Sequence, residues 1–197
     1  MTAILYIVRH GNTFDKGDIV TRVGGRTDLP LSLSGQAQAR NLADHFSTAT
    51  FVTARSGPLK RTRETANAIL AAQPKAPELT TDLFLREIDY GPDENRPEDE
   101  VIARIGKPAL EAWERDSIPP PGWRVDPAAI IGNWQEVFAE LRDQSGSHLI
   151  VTSNGIARFA LNAAGAMRHD AKLATAAWGV IALEHGGERV VEWNRRV

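Results

Sequence analysis

Short apolar runs and helical stripes alternate along the chain. Ile4–Val8 is an uninterrupted apolar run that predicts a buried strand, and it opens into a long loop punctuated by Gly11, Gly17, Gly24 and Gly25. Ser34 then precedes Ala39, Leu42, Ala43 and Phe46, a spacing that predicts a helix whose free N–H groups the hydroxyl caps. Phe51–Ala54 reads as a second strand. Leu59–Ala72 reads as a helix with Ala66, Ile69 and Leu70 on its inner face.

Three proline-bearing stretches follow, Pro74–Pro77, Pro92–Pro97 and Pro119–Pro121. The last two bracket a charged helical segment, Glu98–Asp116, with Val101, Ile102, Ile105 and Leu110 as its apolar stripe. The run Pro119-Pro120-Pro121 cannot lie inside a helix, because proline has no N–H and its ring clashes with the preceding turn. Beyond it the pattern predicts a helix at Ile130–Arg142 and a strand at His148–Thr152 that runs into Ser153-Asn154-Gly155. Ile156, Phe159, Ala160 and Ala163 give the next helix its face, and two closing strands, Val180–Glu184 and Arg189–Trp193, flank Gly186-Gly187.

Strands alternating with helices predict an α/β fold: a three-layer sandwich with a mainly parallel central sheet and helices on both faces. The 197 residues suit one domain. Residues 92–127 are expected to form a small helical, proline-rich insertion or cap over it.

The charge balance, 23 Lys and Arg against 25 Asp and Glu, offers no basic excess for nucleic acid or an anionic membrane surface. A small anion held by a few arginines remains compatible with it. With no cysteine, disulfides, thiolate metal sites and cysteine nucleophiles are excluded. The apolar N-terminal run is too short for a signal-peptide core, and no stretch reaches the roughly 18–20 apolar residues of a membrane span, so a cytoplasmic location is expected. The five histidines, His10, His45, His148, His169 and His185, are scattered without metal-ligand spacing, and neither metal nor cofactor is expected.

In parallel sheets ligands gather beyond the carboxyl ends of the strands. Two loops leave such ends with polar residues: Arg9-His10-Gly11-Asn12-Thr13 and Ser153-Asn154-Gly155. A histidine just past a buried strand, beside an arginine and a glycine, can meet a phosphate. The segments LYIVRHGNT, GGRTDLPLSLSGQAQA, SGPLKRTRETA, LREIDYG and IVTSNGIAR occur in the order seen in histidine phosphatases, so most of the chain outside 92–127 resembles the histidine phosphatase (phosphoglycerate-mutase-like) superfamily.

That resemblance implies a phosphomonoesterase working through a phosphohistidine on a small phosphorylated metabolite, with no cofactor. It makes His10 the nucleophile and Glu87 the proton donor, with Arg9, Arg61 and Asn154 gripping the phosphate. Asn12, Lys16, Arg26 and Arg86 are candidate substrate contacts. The arginines suit the task because a guanidinium offers a fixed fork of donors to the charge spread over the transferring phosphoryl oxygens.

Asn154 stands where the family carries a second histidine. An amide still donates to a phosphate oxygen but brings no charge, a difference of about 1–2 kcal/mol. Lys16, Gly24 and Asp93-Glu94-Asn95 also depart from the family pattern, in loops that shape substrate choice. Three other functions compete: a phosphoglycerate-mutase-like phosphotransferase using the same residues, a weakened phosphate-binding module of the same fold, and a serine hydrolase on Ser153. The last lacks the glycine its sharp turn needs, Val151 standing there instead.

Overall fold

The computed structural model describes residues 2–166 and 171–197, so His169 lies outside the described residues. The first apolar run becomes β1 (Ala3–Arg9), followed by α1 (Leu33–His45), β2 (Phe51–Ser56), α2 (Lys60–Ala71) and β3 (Leu79–Thr81). Next come α3 (Glu98–Ile105), α4 (Lys107–Asp116) and α5 (Pro127–Arg142), then β4 (Gly146–Thr152), α6 (Asn154–Ala163), β5 (Trp178–Glu184) and β6 (Gly187–Arg195). The strands form a mixed six-stranded sheet in the order β3-β2-β4-β1-β5-β6. The run β3-β2-β4-β1 is parallel, and β5 and β6 add an antiparallel hairpin. The α/β fold expected from the alternation is the one observed.

Successive strand residues face opposite sides of a sheet, and β1 divides its side chains accordingly. Leu5 and Ile7 pack with Trp134, Phe138 and Leu141 of α5 and with Ile156 and Phe159 of α6. Val8 packs on the other side with Leu42 of α1 and with Ala66, Ile69 and Leu70 of α2. The N-cap position of α2, Leu59, makes no side-chain cap bond. A cap is worth about 1 kcal/mol, whereas burying Ile69 and Leu70 contributes roughly 1.5–3 kcal/mol each. Asp28 Oδ1 accepts from Lys60 N at 2.6 Å at this end, but packing contributes more.

Several local expectations shift. Ser32, not Ser34, caps α1, its hydroxyl accepting from Gly35 N at 3.2 Å. Ser34 sits inside the first turn, where Asp15 takes its N–H at 2.9 Å. The helix expected across Glu98–Asp116 is two helices, because Gly106 adopts φ +81° and Pro108 follows in the first turn of α4. α5 starts at Pro127, ahead of Ile130, with the Asp126 carboxylate accepting from Ala129 N at 3.0 Å. β3, an edge strand reading Leu-Thr-Thr, is too short and polar to show in the pattern. Among the described residues no helix is long and apolar enough to cross a membrane.

Candidate active site

The strand order brings three chain segments to one place. β1 and β4 are neighbours with Arg9 opposite Thr152, and His10 N donates to Thr152 O at 3.1 Å, so the loops leaving both strands emerge side by side. β2 flanks β4 with Ser56 opposite Val151 and turns through Gly57 into α2, which carries Arg61 in its first turn. The N-termini of α2 and α6 thus lie beside the His10 loop, and the helix dipole there favours an anion. Gly11 is required by proximity: a Cβ on it would lie 2.6 Å from Gly35 O in α1.

His10 is buried, and its Nδ1 lies 2.7 Å from Gly11 O. A carbonyl can only accept, so Nδ1 holds the proton and Nε2 carries the lone pair. Arg61 Nε donates to that Nε2 at 3.2 Å. Burial, then the charges of Arg61 and Arg9, hold the imidazole pKa well below its usual range. The ring is therefore neutral at physiological pH, as a nitrogen nucleophile must be.

Arg61 is 1% exposed and fastened to main chain: Nη1 donates to Thr27 O at 2.8 Å and Nη2 to Gly24 O at 3.2 Å. The loop that bears those carbonyls is held in turn by Glu94, whose carboxylate accepts from Gly24 N at 3.1 Å, Arg26 N at 2.9 Å and the Thr27 hydroxyl at 2.8 Å. A Cβ on Gly24 would strike that carboxylate at 2.2 Å, so the glycine makes room for the clamp. Arg9 Nη1 donates to Leu173 O at 2.7 Å. Burial lowers the pKa of both arginines, which stay cationic all the same.

Glu87 is also buried. Its carboxyl oxygens accept from Ile88 N at 2.9 Å and from Gly155 N at 3.3 Å. A Cβ on Gly155 would come within 2.1 Å of Glu87 Oε1, so the glycine clears the space the acid occupies. Burial raises the Glu87 pKa, against the pull of those N–H groups and of Arg61 and Arg9.

These groups share a cavity of about 440 Å³, with Arg9, His10, Asn12, Arg61, Glu87 and Asn154 all on its walls. Asn154 Oδ1 accepts from Leu173 N at 2.9 Å, which leaves the Nδ2 amide as the half able to donate to a ligand. Asn12 Nδ2 donates to Ser34 Oγ at 3.3 Å. Lys16, Arg26 and Arg86 are not among the lining residues. Lys16 is exposed, Arg26 reaches Asp89 at 3.0 Å and Gly91 O at 2.6 Å, and Arg86 donates to Gly25 O at 3.2 Å. The loop bearing Gly24–Arg26 folds back on residues 86–94, taking the Arg26 side chain with it and engaging that of Arg86. Ser153 Oγ is buried with no hydrogen-bond partner among the described residues, so none of them is in contact as a base to activate it.

Sequence reasoning did not nominate Arg22, Tyr90, Glu98, Glu114 or Lys172, all of which line the cavity. Tyr90 stood inside the segment LREIDYG and could have been marked there; Lys172 follows no pattern. Trp113 both lines the cavity and packs in the core, where Trp123 and Trp134 also lie.

The sequence model of the histidine phosphatase superfamily (branch 1) matches residues 5–196. A curated relative, 2,3-bisphosphoglycerate-dependent phosphoglycerate mutase 2 of Gloeobacter violaceus, is 29% identical over 160 residues, 78% of this chain and 71% of that protein. The probable phosphoglycerate mutase GpmB of Proteus mirabilis is 35% identical over 114 residues, which span 58% of this chain and 49% of that one. Among solved structures, a mycobacterial glucosyl-3-phosphoglycerate phosphatase superposes with a TM-score of 0.79 at 19% identity, covering 98% of this chain and 99% of the other. The phosphoserine phosphatase of Entamoeba histolytica, in complex with 3-phosphoglyceric acid, gives 0.77 at 18% identity, covering 98% and 97%. At these identities the structures speak to the fold.

Proposed function

The chain belongs to the histidine phosphatase superfamily, branch 1, and from that premise we propose that it hydrolyses a small phosphomonoester through a phosphohistidine on His10. The observation that carries this is the neutral His10 ring, proton fixed on Nδ1, with Arg61 Nε 3.2 Å from its Nε2. When substrate enters, Arg61 transfers that hydrogen bond to a phosphate oxygen, and Arg9 and the Asn154 amide grip the others. The Nε2 lone pair attacks phosphorus, the P–O bond to the alcohol breaks, and the Glu87 carboxyl gives its proton to the departing oxygen. Glu87, now a carboxylate, takes a proton from water as that water attacks phosphorus. The N–P bond breaks, phosphate leaves, and imidazole and carboxyl are restored. Residues 92–127 serve as a cap around the alcohol.

Hydrolysis is favoured over mutase chemistry because mutase members of the family tend to keep both histidines, and this chain carries Asn154 in the second position. p-Nitrophenyl phosphate turnover by wild type and His10→Ala tests the reading. The variant should lose on the order of 10³-fold or more in kcat while keeping its circular dichroism, and wild type should yield an acid-labile, base-stable phosphoprotein. Turnover surviving in His10→Ala rejects the mechanism. Phosphate binding without any turnover by wild type makes the chain a binding module instead.

A further inference from the structure

The cavity is larger than its phosphate grip, and its remaining charged walls are balanced. Two cations, Arg22 and Lys172, face it together with two carboxylates, Glu98 and Glu114. Each cation is engaged: Arg22 Nη2 bonds Glu98 Oε1, and Lys172 Nζ lies 3.3 Å from Glu114 Oε2. The Arg22 guanidinium is further held over the Tyr90 and Trp123 rings, 5.4 Å and 5.3 Å from their centroids. Arg158, fully buried and outside the cavity lining, sits at 4.4 Å over the Trp113 ring and donates from Nη2 to Glu114 O at 2.7 Å, so it fixes this wall from behind, while its Nε and Nη1 have no partner among the described residues.

A carboxylate on the leaving group would have to take a cation from Glu98 or Glu114 and then sit beside the carboxylate it displaced. An ammonium would meet the mirror problem against Arg22 and Lys172. Hydroxyl groups avoid both: they donate to the carboxylates and accept from Lys172 or from the Thr175 side chain, which also lines the cavity, without breaking a charge pair. We propose that the paired walls at Glu98 and Glu114 select phosphomonoesters of uncharged, hydroxylated alcohols and reject those whose alcohol carries a carboxylate. This rests on the phosphatase reading and narrows it to a substrate class.

Glycerol 3-phosphate and 3-phosphoglycerate share a carbon skeleton and differ only in a terminal CH₂OH against a carboxylate; phosphoethanolamine supplies the cationic arm. The purified protein should favour glycerol 3-phosphate by about tenfold or more in kcat/KM over either, equivalent to about 1.4 kcal/mol. In Glu98→Gln/Glu114→Gln the advantage over 3-phosphoglycerate should fall to about threefold or less, because the repelling charges are gone. Equal or better use of 3-phosphoglycerate, a preference for phosphoethanolamine, or an unmoved ratio in the double variant overturns the inference. If the double variant does not fold, the wild-type ratio and Glu114→Gln alone decide. p-Nitrophenyl phosphate, run alongside, separates the failures: its turnover without selectivity sinks this inference only, and its absence sinks the phosphatase reading and the inference with it.

Discussion

At the phosphate end of the cavity the charged side chains are fastened to main chain: Arg61 to the carbonyls of Gly24 and Thr27, Arg9 to that of Leu173, Glu87 to the N–H groups of Ile88 and Gly155. Elsewhere in the cavity, the partly exposed Glu98 and Glu114 carboxylates are paired with side chains, those of Arg22 and Lys172. Main-chain anchors come with the fold and cost no reorganisation when charge develops in the transition state. Ion pairs between side chains have no such main-chain support, so a substitution there changes the charge of the wall and leaves the backbone hydrogen bonds in place. The contrast separates chemistry from selectivity: one end resists change, and the other can be retuned without dismantling the fold.

The sharpest way to break that contrast is Arg61→Lys. An ammonium cannot span Thr27 O, Gly24 O and His10 Nε2 at once, so the phosphate end loses its anchoring while keeping its charge. The expected loss is about 10²–10³ in kcat/KM for p-nitrophenyl phosphate. A loss under tenfold would mean that charge alone suffices and that the main-chain anchoring is idle.

Glu87→Gln is next in size. On glycerol 3-phosphate it should cost about 10²-fold, and on p-nitrophenyl phosphate, whose leaving group needs little protonation, nearer tenfold. The pH profile carries the sign. Burial raises the Glu87 pKa, so wild-type kcat/KM should fall as pH rises through that value and the acid is lost. The His10 pKa is pushed well down by burial and by Arg61 and Arg9, so the acid limb should lie below the usual histidine range. In Glu87→Gln the alkaline limb should vanish and the acid limb should stay. An unchanged alkaline limb would assign the proton to another group.

How much of this was legible follows the same division. The His10 and Asn154 loops could be found because each leaves a buried apolar strand, and the hydrophobic pattern marks strand ends. Arg61 could be found because its segment resembles a family pattern. Glu94 could not: its importance lies in hydrogen bonds to Gly24, Arg26 and Thr27, nearly 70 residues away in sequence, and no local pattern encodes a partner at that range. Lys16, Arg26 and Arg86 were nominated as cations near the motif, but position in a loop does not say where a long side chain points. The wall was hidden for a related reason. Glu98, Trp113 and Glu114 lie on two short helices separated at Gly106, and the turn there decides which residues face inward.

Asn154→His, expected to have the smallest effect, tests whether the phosphate end tolerates an imidazole at this position. A charged donor in place of a neutral one would be worth about 1–2 kcal/mol to the transition state, which would raise the rate by roughly one decade or somewhat more. Asn154 Oδ1, however, also accepts from Leu173 N, and Leu173 O in turn anchors Arg9. A protonated imidazole has no acceptor for that N–H. Leaving it unpaired costs about 1–3 kcal/mol and loosens the Arg9 anchor. The two effects oppose one another, so kcat/KM for p-nitrophenyl phosphate should rise by less than about tenfold, with a Tm several degrees lower. A rise well beyond tenfold at unchanged Tm would show that the Leu173 contact is dispensable and that Asn154 is no more than a missing charge.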